Sequence, residues 1–251
     1  MPGNLSGKIA LVTGASRGIG EAIALSLGEA GATLALVSRD EKSLGKVSEK
    51  AKRLGISSEV FAADVSDEAS VENLRAEVIE RLGRIQILVN NAGVNIRKPL
   101  NDFTPAEWRS VIDTNLFGPF LVCRAFVPSM KGHGYGRIIN TTSTMSHVAT
   151  ANRTAYAASK AGLLGFTRAL AIELASEAIT VNGISPGWFE TELTKPIWNN
   201  PEANENLIQR IPLGKWGDIN DIGKLATYLC SEEAGYITGT DILIDGGYTA
   251  Q

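Results

Sequence analysis

Short runs of β-branched and aliphatic residues alternate along this chain with longer stretches of helical periodicity, and that alternation constrains the fold more than any other feature. It is the signature of a parallel sheet built from strand–helix–strand units. The apolar runs fall at Ile9–Val12, Leu34–Val37, Val60–Ala63, Ile87–Val89, Arg137–Thr141, Thr180–Ile184 and Asp241–Ile244. Helical patterns cover Gly20–Ala30, Leu44–Leu54, Ser70–Leu82, Pro105–Asn115 continuing to about Met130, Tyr156–Ala175 and Ile219–Leu229, with Gly31 and Gly55 placed to end the first two. The expectation is an α/β fold: one domain over residues 1–251 with a doubly wound, parallel, seven-stranded sheet of Rossmann type.

Composition narrows the function classes. A net charge of −3 gives no basic footprint, which argues against nucleic acid or a membrane surface as partner. Cys123 and Cys230 lie far apart without metal-ligand spacing, and only two histidines accompany them, so no metal site is expected. Two free thiols suit a reducing compartment. The segment Met1 to Lys8 is polar and unlike a secretory signal, and no apolar run reaches membrane-spanning length, so a cytoplasmic location is expected.

Between the first strand and first helix runs Thr13-Gly14-Ala15-Ser16-Arg17-Gly18-Ile19-Gly20. Glycines there let backbone N–H groups approach a pyrophosphate, and the helix N-terminus adds a favourable dipole. The second strand ends on Ser38-Arg39, where NAD-binding folds carry an acid that grips the ribose 2′-hydroxyl. Arg39 and Arg17 instead suit a 2′-phosphate, so NADP(H) is expected over NAD(H), although Asp40 and Glu41 could partly neutralise Arg39. Residues 190–210, with Trp198, Asn199, Asn200 and Pro201, break the rhythm beyond a strand end and read as a substrate lid.

Gly14-x-x-x-Gly18-x-Gly20, Asn90-Asn91-Ala92-Gly93, Tyr156-x-x-x-Lys160 and Pro186-Gly187, in that order from Gly7 to Gly247, resemble the short-chain dehydrogenase/reductase family. Tyr156 and Lys160 stand one helical turn apart, and a nearby ammonium would lower the phenol's pKa from its ordinary ~10 toward a usable acid/base. The resemblance implies that Lys160 also holds the nicotinamide ribose and that Ser143 hydrogen-bonds the reacting oxygen. It further implies that Asn115 holds a water passing protons toward Lys160. It places Asp64 and Val65 at the adenine and Asn91, Ala92 and Gly93 along the ribose and nicotinamide side. Pro186, Gly187, Phe189 and Thr191 would bracket the carboxamide. A homotetramer is the family's common assembly, and Ala158, Ala161, Gly162 and Gly165 would suit close helix packing.

The substrate is less constrained. Arg97-Lys98-Pro99 resembles the gluconate 5-dehydrogenase branch, and a cation there could pair a substrate carboxylate. His147 and Trp188 are candidates for the pocket wall. The alternative is a 3-oxoacyl-[acyl-carrier-protein] reductase, but Gly134 and Glu177 stand where that branch carries arginines, and Glu177 would repel an acidic carrier. A non-catalytic NADP(H)-binding regulator would not need the Tyr156–Lys160 pair that this chain retains.

Overall fold

The computed structural model describes residues 4–192 and 194–251. Its sheet contains β1 (Ile9–Thr13), β2 (Thr33–Ser38), β3 (Ser58–Ala62), β4 (Ile87–Asn90), β5 (Gly136–Thr141), β6 (Ile179–Pro186) and β7 (Asp241–Ile244). They lie in the order β3-β2-β1-β4-β5-β6-β7, every pairing parallel. The central strands β1, β4, β5 and β6 are buried almost end to end. That double burial is why β-branched and aliphatic residues dominate these stretches, although β5 and β6 also bury Arg137, Asn140 and Asn182.

The helices are α1 (Gly18–Glu29), α2 (Glu41–Arg53), α3 (Glu68–Arg81), α4 (Pro105–Ile112), α5 (Gly118–Met130), α6 (Thr154–Leu174), α7 (Lys195–Trp198), α8 (Pro201–Ile208) and α9 (Ile219–Cys230). Side chains accept the exposed first-turn N–H groups of several: Asp40 for α2, Asp67 for α3, Asp218 for α9, and Thr104 with Glu107 in a reciprocal capping box for α4. One face of the sheet buries Ile23, Leu27, Leu34, Leu36, Ile222 and Leu229. The other buries Leu11, Val37, Leu88, Phe126, Ile138 and Leu174.

Two local expectations need correction. The stretch expected as one continuous helix from Pro105 to Met130 is interrupted by a π-helical turn, Asp113–Phe117, which contains Asn115. That same stretch is long and apolar enough by length and composition to cross a membrane, contrary to the sequence reading. However, 56% of its most apolar portion is buried inside the fold, which marks a core helix. Residues 190–210 carry α7 and α8, with Leu193 outside the described residues. Ile197 and Leu207 pack there with Tyr156, Met145 and Trp188.

Strand order reverses at β1, which is flanked by β2 on one side and β4 on the other. A parallel sheet opens a crevice at such a point, outside the carboxyl ends of its strands.

Candidate active site

A cleft of about 610 Å³ occupies that crevice. Gly14 turns the chain out of β1 with φ +65, and a Cβ there would lie 2.8 Å from the Ala92 Cα. At Gly20 a Cβ would lie 2.3 Å from the Gly14 carbonyl oxygen, so the turn can close only around glycine. Thr13, which sequence reasoning did not single out, fixes the facing loop. Its Oγ1 accepts from the N–H groups of Asn91 and Ala92 at 3.0 and 3.1 Å. Asn91 returns its amide to the Thr13 and Gly14 carbonyls at 3.0 and 3.2 Å.

The residue before α1, Arg17, offers no side-chain cap, leaving the first N–H groups of that helix for a ligand. Ser16, Arg17, Gly18 and Ile19 line the cleft beside this helix start. Ser38, Arg39, Asp64 and Val65 line it beyond β2 and β3. Asn91, Ala92 and Gly93 line it beyond β4, and Pro186, Gly187, Phe189 and Thr191 beyond β6. An uncapped helix start, a glycine turn without room for Cβ and two arginines at the far rim fit a dinucleotide whose pyrophosphate sits on α1.

The charges at that rim differ from expectation. The Asp40 carboxylate does not neutralise Arg39; it accepts from Ser43 N at 3.0 Å and Ser43 Oγ at 2.6 Å, which hold its pKa low. Arg39 pairs with Asp64 instead, at 3.5 Å and largely exposed. Burial opposes the charge on Asp64, but hydrogen bonds from Ser66 and the Arg39 guanidinium outweigh it and keep the carboxyl below its ordinary value.

At the other end, α6 presents Tyr156, Ser159 and Lys160, all buried. Burial is the largest influence on the Tyr156 phenol and raises its pKa; a hydrogen bond with Ser143 and the charges of Arg153 and Arg97 oppose it. The Lys160 ammonium lies 5.8 Å from the Tyr156 ring centroid and donates to the Thr141 carbonyl at 2.5 Å. Burial pushes Lys160 down to about 8, against the supporting charge of Asp241.

The Ser143 Oγ is itself fixed by accepting from Met145 N at 3.1 Å. Asn115 is fully buried, and its side chain is committed on three sides. Oδ1 accepts from Val94 N at 2.8 Å, while Nδ2 donates to Val94 O at 2.9 Å and Ser159 Oγ at 3.0 Å. The π-helical turn therefore ties the loop after β4 to α6, the interruption being of a kind common at functional sites.

Among the substrate candidates, Arg97 and Trp188 line the cleft. Lys98 turns away to Glu107. His147 lies outside the lining, its Nε2 2.6 Å from Asp241 Oδ2. Sequence reasoning passed over Asp241, whose side chain is 2% exposed. Its carboxylate also accepts from Thr142 Oγ1 at 2.6 Å and Ser185 Oγ at 2.7 Å, bracing the strand ends behind Ser143. The only sequence signal was an acid opening an otherwise apolar strand.

Lys160 yields a stability prediction. Its folded pKa, about 8, lies below the unfolded value of 10.5, so between these the unfolded state binds more protons and stability rises with pH. Relative to Lys160→Met, the ligand-free wild type should gain about 3 kcal/mol over that window, at about 1.36 kcal/mol per pKa unit. Urea unfolding of both proteins from pH 7 to 10.5 measures it, and parallel curves would refute it.

The chain matches the family model for enoyl-(acyl carrier protein) reductase over residues 14–249. It is 41% identical to the 3-oxoacyl-[acyl-carrier-protein] reductase of Pseudomonas aeruginosa, covering 97% of this chain and 98% of the relative. Identity to the Escherichia coli enzyme of the same name is 37%, with the same coverage. A gluconate 5-dehydrogenase from Burkholderia cenocepacia, crystallised with NADP and tartrate, superimposes with a TM-score of 0.95 at 34% identity, over 99% of this chain and 97% of that one. Likeness of this extent, in sequence and in backbone, makes the chain a member of the short-chain dehydrogenase/reductase family, an NAD(P)-dependent oxidoreductase acting on CH–OH donors.

Proposed function

We propose that this oxidoreductase uses NADP(H) to interconvert a carbonyl and a secondary alcohol on a small polar substrate bearing a carboxylate, such as a keto-sugar acid of the ketogluconate type. The observation that carries the substrate reading is Arg97, a guanidinium at the cleft whose charge bears on the Tyr156 phenol. Arg17 and Arg39 at the rim support the 2′-phosphate of NADP(H).

When bound, NADP(H) supplies the hydride for reduction and accepts it in oxidation. The protein's own residues manage the oxygen. In reduction the Tyr156 hydroxyl gives its proton to the carbonyl oxygen as carbon–hydrogen bond formation leaves charge there, and the phenolate regains a proton from solvent; oxidation runs in reverse. Ser143, hydrogen-bonded to Tyr156, steadies that developing charge. Lys160, anchored on Thr141, keeps a positive charge beneath the reacting groups.

A second reading, reduction of 3-oxoacyl groups on acyl carrier protein, draws on the 41% identity to the Pseudomonas aeruginosa reductase. Against it, Glu177, whose exposed carboxylate accepts from Gly132 N at 3.0 Å, stands where that branch carries an arginine and would repel an acidic carrier. NADPH oxidation with 5-ketogluconate, acetoacetyl-coenzyme A and acetoacetyl carrier protein, side by side, separates the readings; a clear win for the carrier thioester overturns ours. Arg97→Ala should raise KM for the acid about fivefold. The side chain is more than a third exposed, and solvent screening holds such a pair to about 1 kcal/mol. An unchanged KM would remove Arg97 from the binding site.

A homotetramer in the cytoplasm completes the proposal. Ala158, Ala161 and Gly165 form an exposed stripe of small residues on α6, and Phe117, just before α5, stacks in an exposed position on Phe120 in its first turn. Gly162 instead packs within the chain, where a Cβ would lie 2.9 Å from Leu116. Cys123 and Cys230 are free and buried, each pushed up to about 12 by burial, which fits a reducing compartment.

A further inference from the structure

His147 and Asp241 stand 94 positions apart and neither lines the cleft, yet their side chains meet, Nε2 lying 2.6 Å from Oδ2. Asp241 opens β7 with its side chain 2% exposed; that of His147 is 27% exposed. A carboxylate so deeply buried is costly unless donors surround it. Thr142 Oγ1 donates to Oδ1 at 2.6 Å, and Ser185 Oγ donates to Oδ2 at 2.7 Å. His147 adds a further bond on Oδ2, because a carboxylate only accepts and so selects the ring form that carries a proton on Nε2. Gly183, the partner of Asp241 across the β6–β7 pairing, leaves the space this arrangement needs: a Cβ there would lie 2.2 Å from Oδ1.

Thr142 and His147 flank Ser143. Thr142 precedes it directly after β5, and His147 follows the short 3-10 turn Thr144–Ser146. Within the segment the bonds are local: Met145 N donates to Ser143 Oγ at 3.1 Å, Ser146 N to Ser143 O at 2.8 Å and His147 N to Thr144 O at 2.9 Å. Such bonds set the shape of a turn, whereas its placement over the sheet depends on contacts with other elements. At the near end Thr142 N also donates to Ile184 O on β6 at 2.9 Å. At the far end the His147–Asp241 bond supplies the tie to the sheet. Ser143 is thus staked on both sides by one carboxylate that lies outside the cleft lining.

We propose that Asp241 and His147 are a positioning pair for the reaction: by holding residues 142 and 147 from one buried anchor they fix where the Ser143 hydroxyl meets the reacting oxygen. The sequence reading puts His147 in the pocket wall; its partner at the start of β7 gives it this task instead. Because the pair acts through Ser143 from outside the cleft, its effect falls on the chemical step and leaves cofactor binding alone. This rests on the assignment of Ser143 to the reacting oxygen, and it holds whichever carbonyl compound proves to be the substrate.

The test is a mutant cycle read by single-turnover oxidation of bound NADPH, with whichever of 5-ketogluconate and acetoacetyl-coenzyme A the wild type reduces faster. A displacement of about 1 Å at a reacting group can cost about 10²-fold, so His147→Ala, which frees one end of the segment, should lower the rate about tenfold. His147→Gln, which keeps an N–H donor, should recover most of that loss, and the Kd for NADPH should stay unchanged in both. In a Ser143→Ala background the same His147→Ala change should cost less than about twofold, since the group it positions is gone. His147 is the deciding position because its loss leaves in place the Asp241 charge that supports Lys160. A rate unchanged by His147→Ala overturns the proposal. So does a loss that persists in full over Ser143→Ala, the result of a merely structural role. Near-normal turnover in Ser143→Ala alone would overturn it differently, by removing Ser143 from the chemistry, and the same cycle shows which of the two failed.

Discussion

Tyr156→Phe should lower turnover by about 10²-fold or more while NADP(H) binding persists, because the substitution removes one hydroxyl and nothing else. The ring would keep its place among Val111, Met145, Trp188 and Leu207, so the fold loses little apolar contact. What disappears is the proton carrier and the hydrogen bond it shares with Ser143. Direction matters to the pH profile. Burial raises the phenol, so the protonated form that reduction requires predominates at neutral pH. Oxidation draws on the phenolate and should accelerate as pH rises. Stopped-flow NADPH oxidation and fluorescence titration of NADPH, run on both proteins, measure the two effects. A variant with near-normal turnover would remove Tyr156 from the chemistry.

The strands could be read from sequence because burial on both faces concentrates β-branched and aliphatic residues in short stretches. Predicted and observed limits differ by one or two residues, and β7 coincides throughout. The Gly14 turn, Tyr156 and Lys160 were legible for another reason: their chemistry requires a fixed local spacing. What escaped notice depends on partners distant in the chain. A π-helical turn at Asn115 has no spacing signature, and the Asn115 side chain meets Val94 and Ser159, residues 21 and 44 positions away. Asp241 looks like a strand residue until β6 and β7 pair and set it against Thr142 and Ser185. Arg153 looks like an ordinary loop cation before a helix, and only folding buries it against the Trp188 ring. The Arg39 pairing was misjudged in the same way. Asp40 is its sequence neighbour, but helix capping claims that carboxylate, and Asp64 approaches from the next strand.

That rearrangement sharpens the expected response of cofactor preference to Ser38→Asp. Ser38 ends β2 at the rim of the cleft, where its Oγ accepts from Asp40 N at 3.1 Å. An aspartate can keep that local bond, so the turn should survive. Its charge would meet a 2′-phosphate at close range, and it would compete for Arg39, which Asp64 already shares. Loss of one charge-assisted hydrogen bond, at about 1.5–3 kcal/mol, corresponds to a fall of roughly 10- to 10²-fold in kcat/KM for NADPH. The unphosphorylated ribose of NADH offers hydroxyl donors to the same carboxylate, so kcat/KM for NADH should rise. Because Arg39 is about two-thirds exposed, added salt should shrink the NADPH penalty, which separates charge repulsion from a steric defect. Steady-state kinetics with both cofactors, at low and high ionic strength, give the ratio directly. A wild type that already favours NADH, or a Ser38→Asp variant whose ratio does not move, would mean that Arg17 and Arg39 do not read the 2′-phosphate.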